Sequence, residues 1–134
     1  MSVPERFFDT NVLLYLLSAD ESKADRAEEE LGAGGVISVQ VLNEFASVAS
    51  RKQKMSLAEI REVLAPIRAL CKVVPITEET HEKGLTLADK YRLSLYDAMI
   101  VASALLSGCD TVLSEDMQDG QIFEGGLKVR NPFR

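Results

Sequence analysis

The sequence predicts an α/β protein: a three-layer α/β/α sandwich around a mostly parallel sheet of about five strands. Three observations carry that prediction. Short apolar runs at Arg6-Phe7-Phe8, Val36–Val39, Lys72–Ile76, Thr111–Leu113 and Leu127–Arg130 recur along the chain. Longer segments of helical period separate them, and strands alternating with helices make βαβ units. One helix, Ala98–Leu106, is apolar nearly all round, with Ser103 its only polar member, and so belongs in the interior.

Taken in order, the first strand stops at Asp9, and a short helix over Val12–Leu17 follows. A second helix runs from near Ser22 to Leu31 and ends at Gly32, Gly34 and Gly35, as glycines past a helix end do. After the second strand, Leu42, Phe45, Ala46 and Ala49 repeat at i, i+3, i+4, i+7, one face of a helix. The basic turn Arg51-Lys52-Gln53-Lys54 closes it, and Ser56-Leu57-Ala58-Glu59 is a capping box opening the next helix toward Cys71. Pro66 falls inside that helix and is expected to bend or split it. Pro75 places the third strand at an end or edge. Thr77 starts a helix whose expected inner face is Gly84, Leu85, Ala88 and Tyr91, and Ser94 opens the apolar helix.

A length of 134 residues fits one domain spanning 1–134, with a core large enough to need no staples. Cys71 and Cys109 have neither Cys-x-x-Cys pairing nor metal-like spacing, so they read as buried free thiols in a reducing compartment. No apolar signal segment follows Glu5 and Arg6, and nothing reaches the ~18 apolar residues of a membrane span. The expected location is the cytoplasm. The net charge of −6 argues against a broad basic surface for nucleic acid, though a local basic rim or bound cations can offset the global sign.

Four acids stand where a carboxylate has consequences. Asp9 and Asp116 each end a strand, Glu44 shares a helix flank with Val41 and Val48, and Asp97 opens the buried helix. Each has a plainer role. Asp9 or Asn11 can cap the following helix, Glu44 can be a glutamate favoured by the helix dipole, Asp97 can complete a capping box with Ser94, and Asp116 can make an Asx turn. Together they differ, because in a parallel sheet two strand ends and two helix starts lie at the same carboxyl-end rim, where ligands bind. Four converging carboxylates repel by about 4 kcal/mol per close pair at an effective dielectric near 20. No lysine or arginine adjoins Asp9, Glu44 or Asp116 in sequence, so a hard cation such as Mg²⁺ or Mn²⁺ suits the all-oxygen set. Such ions activate water and neutralise an in-line phosphoryl displacement, which is nuclease chemistry.

Asp9-Thr10-Asn11 after the first strand, Glu44 on an early helix, Tyr96-Asp97-Ala98 opening an apolar helix, and Ser114-Glu115-Asp116 after the fourth strand resemble a PIN domain. Within that family the chain most resembles the VapC-type toxins of toxin–antitoxin pairs, from Arg6 to about Arg130. No single motif is specific; the ordered set is. The resemblance implies a Mg²⁺- or Mn²⁺-dependent endoribonuclease, usually a homodimer, inhibited by an antitoxin whose tail enters the acidic site, and giving 5′-phosphate and 3′-hydroxyl products. It carries the metal-binding acids onto Asp9, Glu44, Asp97 and Asp116, with Thr10 or Asn11 and Ser114 in support. Asp9, Asp97 and Asp116 would hold the principal metal, with Glu44 completing its shell or orienting the water. RNA needs phosphate contacts, for which Arg51, Lys52, Lys54, Lys128 and Arg130 are the candidates. Many relatives place an aromatic residue after the last acid, whereas Met117-Gln118-Asp119-Gly120 follows here; Asp119 is expected to serve the turn rather than the acids.

His81, the only histidine, accompanies no nucleophile motif, so Ser-His-Asp chemistry is not supported. A haloacid-dehalogenase-like phosphatase would need a second Asp where Asn11 stands, and the paired acids and late lysine of a receiver domain have no place here. The rival from another class is a PIN-like module that binds RNA or protein without cleaving.

Overall fold

The computed structural model describes residues 5–134. Five strands form one all-parallel sheet in the order β3-β2-β1-β4-β5. They are β1 (Arg6–Phe8), β2 (Gly35–Ser38), β3 (Cys71–Val74), β4 (Thr111–Leu113) and β5 (Lys128–Arg130). The six α-helices are α1 (Thr10–Leu14), α2 (Glu21–Gly32), α3 (Val39–Lys52), α4 (Leu57–Leu70), α5 (Glu78–Tyr91) and α6 (Leu95–Leu106). They cover the sheet, as an all-parallel sheet requires of its two apolar faces. One core runs through it: Phe7 and Phe8 of β1, Val36 and Ile37 of β2, and Val112 and Leu113 of β4 are buried with Leu13, Phe45, Leu87, Ile100 and Val101 from the helices.

Most elements fall where the sequence placed them, and the differences have local causes. The first helix begins at Thr10 because Asp9 is its N-cap, its Oδ1 accepting the Thr10 N–H at 2.7 Å. Val39 belongs to α3 rather than β2, since Ser38 caps that helix with its hydroxyl on the Val41 N–H. The third strand stops at Val74, one residue short of Pro75, and lies at the sheet edge as expected. Pro66 does not split its helix: α4 runs unbroken from Leu57 to Leu70. Both Pro66 and Glu62, whose carbonyl lost its helical donor, are exposed, so water can take the vacant acceptor.

The inner face of α5 is a second correction. Leu85 is 43% exposed, and the buried residues are Thr80, Gly84 and Leu87, with Ala88 and Tyr91 packed against the core. The face turns toward α6, so residues three and four apart from Gly84 point inward and Leu85 looks out. Gly35 does more than follow a helix: a Cβ there would stand 2.5 Å from the Phe8 ring and 2.6 Å from the Arg6 carbonyl oxygen. That close approach of β1 and β2 brings the first strand into the sheet centre. Cys71 and Cys109 are buried and free, and burial pushes the Cys109 thiol up to about 12. His81 is exposed on α5.

Candidate active site

The sheet's carboxyl-end rim forms a pocket of about 240 Å³, and Asp9, Glu44, Asp97 and Asp116 all line it. Four separate elements deliver them. Asp9 leaves the central strand, its backbone N–H bonded to the Leu113 carbonyl at 3.0 Å, so β1 and β4 end in register at the site. Asp116 follows β4 through Ser114, Glu44 lies in the second turn of α3, and Asp97 stands in the first turn of α6. The capping roles and the shared site prove compatible: Asp9 caps α1 with one oxygen while the other faces Ser114 and Asn11.

Asp9 is only 5% exposed, and polar neighbours fix it from two sides. The Ser114 hydroxyl donates to Asp9 Oδ2 at 2.8 Å, and the Asn11 amide donates to the same oxygen at 3.3 Å. That Asn11 amide also reaches Asp116 Oδ2 at 3.1 Å, while the Asn11 carbonyl oxygen accepts the Glu115 N–H at 3.1 Å. Asn11 is thus the strut between the first and last acids. Thr10 turns to Glu44, donating its hydroxyl to Oε2 at 2.8 Å. Gln40, one turn before Glu44 on α3, donates to the other carboxylate oxygen at 2.8 Å and to the Tyr96 carbonyl at 3.2 Å.

The electrostatics are those of crowded anions. Burial pushes Asp9 from the ordinary 3.8 up to about 6; the Ser114 and Thr10 hydrogen bonds oppose the rise, while Asp97 and Asp116 add to it. Asp97 is raised as well, first by burial, then by the charges of Asp116 and Glu44 against the lowering effect of Ser94. Among the described residues Arg51 is the one cation on the pocket wall, its Nε held by the Ser47 hydroxyl at 3.3 Å. The acids ring the pocket without closing on one point: among the described residues, no three Asp, Glu, His or Cys side chains form a ready-made metal cage. Four carboxylates, with no His or Cys among the described residues of the same wall, suit a hard divalent cation that keeps part of its water shell, as Mg²⁺ does, rather than zinc.

The other cations predicted from sequence lie elsewhere. Lys52 and Lys54 are exposed at and just beyond the end of α3 and do not line the pocket. Lys128 pairs with Thr111 at the opposite, amino-end rim of the sheet. Arg130 spends its guanidinium on Glu30 at 2.9 Å; the same buried carboxylate oxygen binds Arg6 at 3.1 Å. Asp119 stays out of the pocket, accepting the Asn131 N–H at 2.8 Å. Glu115 turns away from the acids to pair with Tyr15 and Lys23. The residue sequence reading missed is Gln40, although its position four before Glu44 on one helix face was the available signal.

A family model for the PIN domain matches residues 6–118. This chain belongs to the PIN domain family. Among solved structures, the fold is similar to a toxin–antitoxin complex from Klebsiella pneumoniae, with 24% identity over 96% of this chain and 98% of that one, and a TM-score of 0.71. It is also similar to VapC20 from Mycobacterium tuberculosis, described as a sarcin–ricin loop cleaving toxin (20% identity, 84% and 92% of the two chains, TM-score 0.65). VapBC2 from Rickettsia felis, solved with a promoter DNA fragment, matches at 17% identity over 94% and 97%, with a TM-score of 0.63. At these identities the likeness is one of fold. Comparison with curated protein sequences gives no significant match. The PIN-domain match takes in all four acids on the pocket wall.

Proposed function

We propose that this PIN domain is a Mg²⁺- or Mn²⁺-dependent endoribonuclease and the toxin of a toxin–antitoxin pair. The observation that carries the reading is the pocket itself: four acids from four elements share it, and two have raised carboxyl pKa values, in part because they face one another. Asp9, Asp97 and Asp116 would hold the ion, with Glu44 completing its surroundings. When bound, the ion supplies a nucleophile from water near neutral pH and neutralises charge on the phosphoryl group.

The chain's own residues do the positioning. Ser114 and Asn11 point Asp9, Asn11 holds Asp116, and Thr10 holds Glu44. Arg51, with Lys52 and Lys54 nearby at the end of α3, supplies phosphate contacts that let RNA approach a protein of net charge −6. Several structural neighbours are toxin–antitoxin complexes, which supports an antitoxin partner; a homodimer is the assembly expected with it. No helix among the described residues is long and apolar enough to cross a membrane, in keeping with a cytoplasmic protein.

The dispersed carboxylates favour one second reading, a PIN domain that binds RNA or protein without cutting. Cleavage of a single-stranded RNA pool by the metal-stripped protein, with Mg²⁺ or Mn²⁺ restored, decides between them. Cutting that disappears in EDTA and falls at least about 100-fold in Asp97→Asn supports the nuclease, since even residues behind the metal ligands cost up to that much. No Mn²⁺ binding by wild-type protein freed of antitoxin supports the binding module.

A further inference from the structure

Gln40 lies where two of the site's elements meet, and nothing in the acid set accounts for it. Its amide nitrogen sits 2.8 Å from Glu44 Oε1 and 3.2 Å from the Tyr96 carbonyl oxygen. Both neighbours can only accept, so the two amide hydrogens have one to serve each and the amide has one satisfactory orientation. Glu44's second oxygen is taken by the Thr10 hydroxyl at 2.8 Å. One carboxylate therefore gathers α1, α3 and, through Gln40, the residue directly before Asp97.

We propose that Gln40 is a positioning residue: it sets the direction of the Glu44 carboxylate and ties it to the start of α6, fixing how Glu44 and Asp97 face each other across the pocket. The inference rests on the metal-dependent reading above. A glutamate held only by Thr10 would be fixed through one oxygen, leaving Oε1 without a partner to set its direction, and orienting partners of this kind tune metal sites strongly. Loss of the amide also leaves the α3–α6 contact without its polar tie, because Gln40 is the residue bonded to both Glu44 and the Tyr96 carbonyl. The i, i+4 placement on α3 is worth only a few tenths of a kcal/mol to the helix, so local helix stability does not account for the residue.

The test is Gln40→Met, which keeps the length and removes the donors, with Gln40→Asn as a second variant whose amide falls short. Mn²⁺ affinity of the metal-stripped full chain is measured by electron paramagnetic resonance, alongside its thermal midpoint and kcat and KM on single-stranded RNA. The expected result in both variants is Mn²⁺ binding weakened about 10–100-fold, with kcat carrying the activity loss and the metal-free midpoint within about 2 °C of wild type. Binding within about twofold of wild type in both variants overturns the proposal. So does weakened binding that always accompanies a midpoint drop above about 5 °C, since that marks ordinary packing. Wild-type protein that binds no Mn²⁺ overturns the metal reading and this inference with it, so the two failures are told apart by the wild-type titration.

Discussion

Asp9 makes the metal-free protein less stable as pH rises, and the size of the effect follows from its burial. Well below pH 3.8 the carboxyl is protonated in both folded and unfolded chains and favours neither. Above that, the unfolded chain ionises at 3.8 while the folded chain holds its proton to about 6. Folding is penalised progressively through that window, by about 3 kcal/mol at pH 7.5 and about 1 kcal/mol at pH 4.5. Asp9→Asn removes the charge and so the penalty. It also turns an amide N–H toward Ser114 and Asn11, both of which donate to Asp9 Oδ2, and losing those bonds costs about 1–2 kcal/mol. The net expectation at pH 7.5 is a variant about 1–2 kcal/mol more stable than wild type. With an unfolding entropy of about 2 cal/mol/K per residue over 134 residues, the midpoint rises about 4–7 °C. At pH 4.5 the gain shrinks to near zero. Thermal unfolding of both proteins in EDTA at the two pH values is the assay. An Asp9→Asn protein less stable than wild type at pH 7.5, or a difference that does not change with pH, would refute the reasoning.

Mn²⁺ should raise the wild-type midpoint at pH 7.5 and have little effect at pH 4.5, where Asp9 is protonated; scanning calorimetry with and without EDTA measures this. Gly84→Ala should change stability in urea by no more than about 1 kcal/mol: the new Cβ would stand 2.5 Å from Met99 Sδ, the far end of a flexible side chain that can turn aside, while replacing a glycine inside a helix returns about 1 kcal/mol. Arg130→Ala should lower the urea midpoint by leaving Glu30 with Arg6 alone, while leaving KM for RNA unchanged. Arg51→Ala should do the reverse: stability holds, KM rises several-fold, and the salt dependence of RNA binding loses about one phosphate's worth of slope.

The fold was legible because the chain's periods agree with its architecture. Phe7-Phe8, Val36-Ile37 and Val112-Leu113 are short apolar runs, and the largely apolar stretch of α6 from Ala98 to Ala104 is buried throughout. Where the reading slipped, at Val39, Leu85 and Pro66, the deciding factor lay outside the local pattern. Ser38 ended a strand by capping a helix, α5 turned toward α6, and solvent tolerated a proline in α4. For the site, sequence order alone placed Asp9, Glu44, Asp97 and Asp116 at one rim, since a parallel sheet sends every strand's end to the same side.

What the sequence by itself determined is therefore the identity of the acids and the edge of the sheet on which they gather. Only tertiary structure decided which cations accompany them. Lys128 and Arg130 looked equivalent to Arg51 in composition, yet register sends Lys128 to the far rim and an ion pair with the buried Glu30 occupies Arg130. Tertiary structure also decided the roles of the polar side chains: Asn11 braces two acids, the Thr10 hydroxyl holds Glu44, and Gln40 joins two helices. The physical reason is range. Hydrophobic period is a local property that each segment carries, whereas a hydrogen bond of 3 Å between residues up to 105 positions apart exists only after the sheet has set its strands in register.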